Sequence, residues 1–349
     1  MTRLKDNVLL LTVAVLLLTA CSSDRNCFVM RGVVLATEDL KTADWPRLAS
    51  EIGINTLGTH VTPDEVLAFW ESDCGKKFRD DCRRRGIEVE HELHAMKTLL
   101  PRDFFGMDST MFRMDERGRR IADYNCCASS QRALDTIAAR ALWYARHLTA
   151  TNHRYYYWLD DGAPMCQCSS CSQYTASEQA LLIENSIIKA LRTFDPKAML
   201  AHLAYQSSMK APEKVKPEEG IFLEFAPFIR RIDRPLTDTV CNKDGWCNAD
   251  NLKYLEDNLK VFSVETAVAL DYWLDVSMAS GWKKPAKRLP WHSDVFRADI
   301  NVYARMGIRN VTSFAVYMDS AYFKAYPSTN ELKEYGDVLK NFRTAAASR

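Results

Sequence analysis

The sequence lacks an excess of charge of either sign. Its 349 residues include 46 Lys and Arg against 45 Asp and Glu, which gives a formal net charge of +1 at pH 7. Proteins that bind nucleic acid normally carry a clustered excess of basic residues, so nucleic acid is not an expected partner. Its length fits one large domain or two small ones. The chain has no convincing internal repeat and no low-complexity linker, so one domain is the simpler prediction.

Long apolar runs are absent after the first part of the chain. Residues 8–20 are apolar apart from two threonines, and they follow Arg3 and Lys5. This run has the length of a signal-peptide core and is short for a membrane span. It ends in the letters LTAC, which match a bacterial lipobox with Cys21 as the acylated residue.

We therefore predict three regions. Residues 1–21 are a lipoprotein signal peptide that includes the lipobox Cys21, residues 22–29 are a short tether, and residues 30–349 are one folded domain. The expected location is the bacterial cell envelope, with the outer membrane favoured and its periplasmic or surface side left open. The lipid on Cys21 is the only predicted contact with the membrane.

Cysteine is plentiful for a chain of this size. Of the 11 cysteines, ten remain when Cys21 is set aside. An even number of cysteines in an exported chain points first to disulfides. Cys241 and Cys247 flank the short segment NKDGW and are predicted to form a small-loop disulfide.

The densest cysteine pattern is Cys166, Cys168 and Cys171, and an earlier loop contributes Cys126 and Cys127. Four thiolates from two neighbouring loops can hold a structural zinc ion. The alternative is a pair of disulfides that join the loops. Because export favours disulfides, we expect disulfides and no cofactor. A zinc site at the three clustered cysteines with Cys126 or Cys127 stays open.

Strand-like and helix-like segments alternate from residue 30 onward. Apolar, β-branched runs predict strands at 30–36, 54–60, 87–96, 154–159, 198–205, 221–229, 266–274 and 311–318. Helical apolar spacing with capping residues predicts helices at 44–52, 62–85, 129–147, 177–194, 249–262, 292–306 and 330–342.

Eight such units over about 320 residues predict an α/β fold, a single-domain (β/α)8 TIM barrel. A doubly wound open sheet is the competing arrangement. It normally carries a glycine-rich phosphate turn after its first strand, and this chain has none there.

In such a barrel the chemistry lies at the C-terminal ends of the strands. The fourth predicted strand ends in Asp160 and Asp161, and Gly162 makes a turn plausible that would bring both carboxylates to one site. Carboxylates converging there suit glycoside hydrolysis, which uses one protonated and one ionised carboxyl. In the alternative interpretation, one of the two aspartates binds loop amides. The other candidates for catalysis or substrate contact are His94, Trp158, Tyr205, Glu224, Arg230, Asp271, Tyr272, Trp273 and Asp319.

Several short segments together resemble one bacterial family. They are NCCASS at 125–130, DG followed by CxCxxC at 161–171, FAPFIRR at 225–231, RPLTD at 234–238 and DYW at 271–273. The chain resembles the family known as domain of unknown function 4838. Part of that family is classed as glycoside hydrolase family 163, endo-β-N-acetylglucosaminidases that act on complex N-glycans.

The resemblance implies a barrel glycosidase that acts on N-acetylhexosamine-containing glycans by a substrate-assisted retaining mechanism. Asp161 is then expected to be the general acid/base, and Asp160 is expected to orient the acetamido group of the substrate as the nucleophile. A non-catalytic glycan-binding lipoprotein on the same scaffold is the alternative. It would keep an aromatic cleft but would not need paired carboxylates at catalytic spacing.

Overall fold

The computed structural model describes residues 27–343. The predicted signal peptide, Cys21 and most of the predicted tether therefore lie outside the described residues.

Eight parallel strands pair in sequence order, and the last strand pairs with the first to close a barrel. The strands are β1 (Met30–Ala36), β2 (Thr56–Val61), β3 (Glu88–His94), β4 (Arg154–Trp158), β5 (Met199–Ala204), β6 (Ile221–Phe225), β7 (Val268–Asp271) and β8 (Asn310–Phe314). The predicted single-domain (β/α)8 barrel is confirmed.

Helices follow the strands and cover the barrel or sit in its loops. They are α1 (Thr37–Thr42), α2 (Trp45–Ile52), α3 (Pro63–Glu71), α4 (Asp73–Arg85), α5 (Met96–Leu99), α6 (Gln131–His147), α7 (Ala176–Leu191), α8 (Asp250–Leu259), α9 (Val276–Ala279), α10 (Ser293–Arg305), α11 (Ser320–Ala325) and α12 (Asn330–Asn341). Short 3₁₀ turns lie at Arg102–Gly106, Ser109–Met111 and Gln206–Ser208. Within residues 27–343, no helix has the length and apolar character needed to cross a membrane.

The single helix predicted over 62–85 is wrong, because the chain breaks it into α3 and α4 at Ser72. The backbone of Ser72 is extended, and its hydroxyl accepts a hydrogen bond from the Gly75 amide at 3.1 Å, which caps the start of α4. The two helices meet so closely that a Cβ at Gly75 would lie 2.0 Å from the carbonyl oxygen of Phe69. A serine cap and a glycine without a side chain together allow this sharp corner.

Alternation along the strands separates the barrel interior from the layer under the helices. On β3, Val89 and Leu93 pack in the outer layer, whereas Glu92 points inward. Gly58 on β2 leaves space for this carboxyl, since a Cβ there would lie 2.6 Å from Glu92 Oε1. A separate apolar cluster that includes Trp158 lies in the barrel interior, and its members at the C-terminal ends of the strands line the site described next.

Candidate functional site

A cleft of about 800 Å³ opens at the C-terminal ends of the strands. Its rings come from strand ends and the loops that follow them. They are His60, His94, Trp158, Tyr205, Phe228, Tyr272, Trp282, Phe314 and Tyr317. A concave site with this many flat apolar faces is suited to a ligand that stacks on rings, as the C–H faces of sugars do.

Trp158 forms the centre of the floor. Its ring centroid lies 5.2 Å from that of His94 and 5.7 Å from that of His60. Its indole N–H donates a 2.7 Å hydrogen bond to Glu224 Oε2 in the barrel interior, which fixes the ring from below. Desolvation at this floor lowers the pKa of His60 to about 3, so His60 is neutral at ordinary pH.

Asp161 stands at the rim just beyond β4 with its side chain exposed. The chain turns immediately after it: Gly162 has φ of 58°, and the Ala163 amide donates to the Asp160 carbonyl at 3.2 Å. The hydroxyl of Tyr205 donates a 2.9 Å hydrogen bond to Asp161 Oδ1. Burial, together with the Asp161 charge, raises the pKa of Tyr205, so the phenol keeps the proton that it donates.

Asp160 points away from the cleft, which corrects the prediction that both carboxylates enter one site. Its oxygens accept hydrogen bonds from the Asn125 amide at 2.7 Å, the Lys97 amide at 3.2 Å and the Arg102 guanidinium at 3.3 Å. Neighbouring side chains on an extended segment face opposite ways, and the turn at Gly162 does not reverse this. Asp160 therefore organises the loop after β3 instead of contacting a ligand in the cleft.

Asp271, Arg230 and Trp273 also lie outside the cleft, contrary to expectation. Alternation places Tyr272 in the cleft and puts Asp271 and Trp273 on the outer side of the barrel. There Arg230 bridges Asp271 at 3.0 Å and Asp299 at 2.7 Å, while the Trp273 indole donates to Asp299 at 2.9 Å. These groups hold the fold together and do not contact the cleft.

Glu224 and Asp319 are the remaining corrections. Glu224 is fully buried beneath Trp158, and burial raises its pKa well above the usual range. Asp319 accepts the Tyr322 amide at 2.8 Å as the N-cap of α11 and pairs with Lys284 at 2.5 Å. Neither residue is among the described residues that line the cleft.

Sequence reasoning found part of the cleft and missed the rest. The predicted residues that line it are Asp161, His94, Trp158, Tyr205 and Tyr272. Those missed are His60, Phe228, Trp282, Phe314 and Tyr317. The strand-end rule could have found His60, next to the last residue of β2, and Phe314, the last residue of β8. Trp282 and Tyr317 lie in loops without any periodic pattern.

Asp275 is the second carboxylate among the described residues that line the cleft. Its Oδ1 caps α9 by accepting the Ser277 amide at 2.9 Å and the Met278 amide at 3.1 Å. Burial raises its pKa above the usual range.

Backbone strain is concentrated at this cleft. Gln206, Trp282 and Tyr317 all line it, and all have positive φ, at 44°, 55° and 75°. Each such residue costs on the order of 1–3 kcal/mol and persists only where the surroundings enforce it. Strain of this kind is typical of ligand-binding sites.

The family's sequence pattern matches residues 60–329. The chain belongs to the family described as Domain of unknown function (DUF4838). A comparison with curated proteins gave no match.

Solved structures similar to this DUF4838 protein include glycoside hydrolases. β-Galactosidase from the psychrophilic Marinomonas ef1 aligns over 88% of this chain and 58% of its own, with a TM-score of 0.54 and 11% identity. ZgEngAGH5_4 aligns over 89% of this chain and 96% of its own, with a TM-score of 0.50 and 9% identity. At such identities the likeness shows the fold alone, and glycoside hydrolases use this fold.

The cysteines of this DUF4838 protein differ in part from expectation. Cys241 and Cys247 form the predicted disulfide. The disulfides expected between the two loops are not formed, since all five cysteines of those loops are free. Instead, one sulfur from the earlier loop and three from the later one gather at a common point. These four cysteines are Cys127, Cys166, Cys168 and Cys171.

Proposed function

We propose that this DUF4838 protein is a glycoside hydrolase with Asp161 as the general acid/base. The observation that carries the proposal is the exposed Asp161 carboxylate at the end of β4, held by the Tyr205 hydroxyl beside a ring-lined cleft. An exposed carboxylate within reach of a bound glycosidic oxygen can give and take a proton. The rings that include Trp158 and Tyr272 supply surfaces on which sugars stack.

We propose N-acetylhexosamine-containing glycans as the substrate, cleaved by an endo-β-N-acetylglucosaminidase-like mechanism. A substrate-assisted route draws its nucleophile from the acetamido group of the sugar, so it needs few free carboxylates from the protein. Such a route fits a cleft in which Asp160 already accepts hydrogen bonds from the amides of the loop after β3. Asp275, whose Oδ1 is used as a helix cap, takes over in this proposal the orienting role expected of Asp160.

The test is release of glycan from an N-glycoprotein by the purified protein, with a chromogenic N-acetylglucosaminide as a second substrate. Replacing Asp161 by Asn removes the transferable proton and should lower turnover by about 10²- to 10⁴-fold. Asp80→Asn, an exposed aspartate on α4, is the matched control and should keep wild-type turnover. Wild-type turnover in Asp161→Asn would exclude the assigned role.

A second candidate is a barrel that binds glycans without cleaving them. The observation that favours it concerns Asp160, which is bound by the Asn125 amide and the Arg102 guanidinium. Asp161 therefore has no free carboxylate next to it to act as a catalytic partner. This candidate predicts measurable glycan affinity in calorimetry together with no release by the wild-type protein. Release that depends on Asp161 would rule it out.

We also propose that the chain is a lipoprotein of the bacterial cell envelope, acylated at Cys21. The support is the apolar run at residues 8–20 followed by the lipobox letters LTAC. Growth with an alkyne fatty acid should label the wild-type chain but not Cys21→Ala. Equal labelling of both chains would contradict this.

A further inference from the structure

Two loops beside the cleft approach each other through their cysteines. The loop after β3 contributes Cys127. The loop after β4, which carries Asp160 and Asp161 near its start, contributes Cys166, Cys168 and Cys171. All four side chains are buried, and their sulfur atoms lie within 4.8 Å of one another.

Two of the distances between these sulfurs match those in a metal-bound tetrahedron. Cys127 Sγ lies 3.7 Å from Cys168 Sγ and 3.8 Å from Cys171 Sγ. A zinc–sulfur bond of about 2.3 Å places the corners of a tetrahedron about 3.8 Å apart. A disulfide would need about 2.05 Å, which the loops do not approach at these pairs.

We propose that Cys127, Cys166, Cys168 and Cys171 bind one zinc ion as a closed structural site. Four thiols lose their protons to form the Zn(Cys)₄ unit, and all four positions around the metal are then filled by protein. The structure selects Cys127 over Cys126, because Cys126 is free and buried but is not part of the cluster.

Polar groups around the cluster suit thiolate ligands. The Met114 amide donates to Cys166 Sγ at 3.3 Å, and the Arg120 guanidinium lies 3.7 Å from the same sulfur. The Ser129 hydroxyl lies 3.3 Å from both Cys127 Sγ and Cys171 Sγ. A zinc ion with four thiolates carries a net charge of −2, which one guanidinium and several hydrogen-bond donors partly offset.

The backbone already holds the ligands in place. The amides of Cys171 and Ser172 both donate to the Cys168 carbonyl at 2.9 Å, which curls the later loop. Gln179 on α7 accepts the Cys166 amide at 3.1 Å and donates to the Cys171 carbonyl at 3.2 Å. The metal would join the loop after β3 to the loop after β4, which carries Asp161, and would stiffen the segment that places Asp161 at the cleft.

The test is the metal content of the purified full-length protein, measured by inductively coupled plasma mass spectrometry. We expect one zinc per chain. Exchange for cobalt should give the visible d–d bands of tetrahedral Co²⁺ and sulfur-to-cobalt charge transfer in the near ultraviolet. Cys168→Ser should lose the zinc and these bands. Cys74→Ser, an exposed cysteine on α4, should keep both.

Peptide mapping without reductant covers the case in which Cys168→Ser does not fold. Zinc-free wild-type protein with disulfides among the four cysteines would overturn the proposal. One iron ion per chain instead of one zinc ion would contradict the assignment of zinc as the metal. None of these readouts uses glycan turnover, so the metal site stands or fails separately from the proposed hydrolase activity.

Discussion

At the residue scale, Asp160 and Asp161 are neighbours in sequence with different surroundings. Asp160 is buried against the donors of the loop after β3, whereas Asp161 is exposed and is bound by Tyr205. The pleat of the chain at the end of β4 separates them. Their substitution should therefore affect different properties.

Asp160→Ala should destabilise the protein by about 1–3 kcal/mol, because the buried Asn125 amide loses its acceptor and Arg102 loses its ion pair. Asp161→Ala should change the free energy of unfolding by no more than about 0.5 kcal/mol, because Tyr205 can turn to water. Urea unfolding followed by circular dichroism measures both. Equal stability of the two variants would contradict the assigned roles.

Trp282 offers a second prediction at this scale, which depends on the proposed glycan binding. Its side chain is 61% exposed at the mouth of the cleft, so it adds little to folding and is free to stack on a sugar. Trp282→Ala should raise the Kd for glycan about tenfold, or about 1.4 kcal/mol. Trp143→Ala, a 47% exposed tryptophan on α6, is the control and should leave calorimetric affinity unchanged. Equal losses in both variants would argue against stacking at Trp282.

At the scale of elements, a buried ionic cluster joins the loop after β6 to β7 and α10. Arg230 is 1% exposed in its side chain, and its two partners Asp271 and Asp299 are fully buried. Burial and the nearby Asp299 charge raise the pKa of Asp271 to about 6, although the positive charge of Arg230 opposes this shift. Removing the single cation would leave two acids facing each other.

Arg230→Ala should therefore cost about 3–5 kcal/mol of unfolding free energy, since it leaves uncompensated buried charge. Arg231→Ala is the matched control, because the neighbouring arginine forms an exposed pair with Asp233. Such surface pairs contribute about 0–1 kcal/mol. Denaturant unfolding of both variants at neutral pH makes the comparison. A small effect at Arg230 would mean that the cluster is not required for this junction.

At the scale of the whole molecule, the barrel closes where β8 meets β1, and Asp39 lies over this seam. Its Oδ2 accepts the Ala36 amide at 3.1 Å and the Tyr317 amide at 3.2 Å, which joins α1 and the end of β1 to the loop after β8. Burial raises the pKa of Asp39 to about 7, although both backbone amides and Lys284 oppose the shift.

This shift predicts how stability depends on pH. An unfolded aspartate has a pKa of about 3.9, so between pH 4 and 7 the folded state binds a proton that the unfolded state has lost. The contribution of Asp39 is full below about pH 4 and declines as pH rises toward 7. Asp39→Asn lacks this decline, so its stability relative to wild type should improve between pH 5 and pH 8.

The improvement should be at most about 3 kcal/mol, as each pKa unit corresponds to about 1.4 kcal/mol. Urea unfolding at a series of pH values measures it, with Asp80→Asn as the control for an exposed aspartate. A constant difference between Asp39→Asn and wild type over this range would contradict the raised pKa.

The sequence by itself determined the barrel, because strand and helix patterns are local and eight alternating strand–helix units leave few possible arrangements. The strand-end rule then indicated His94, Trp158, Tyr205 and Tyr272, which do line the cleft. Only the tertiary structure decided which of two adjacent aspartates faces that cleft, because the outcome depends on the pleat and on Asn125, distant in sequence.

The same limit applies to the other corrections. Asp271 and Glu224 sit on predicted strands, but the direction of each side chain follows from the exact phase of the strand. The choice of Cys127 over Cys126 depends on how two loops meet, and the place of Trp282 in the cleft depends on a loop without periodicity. Local patterns determine elements, whereas contacts between distant segments determine the site.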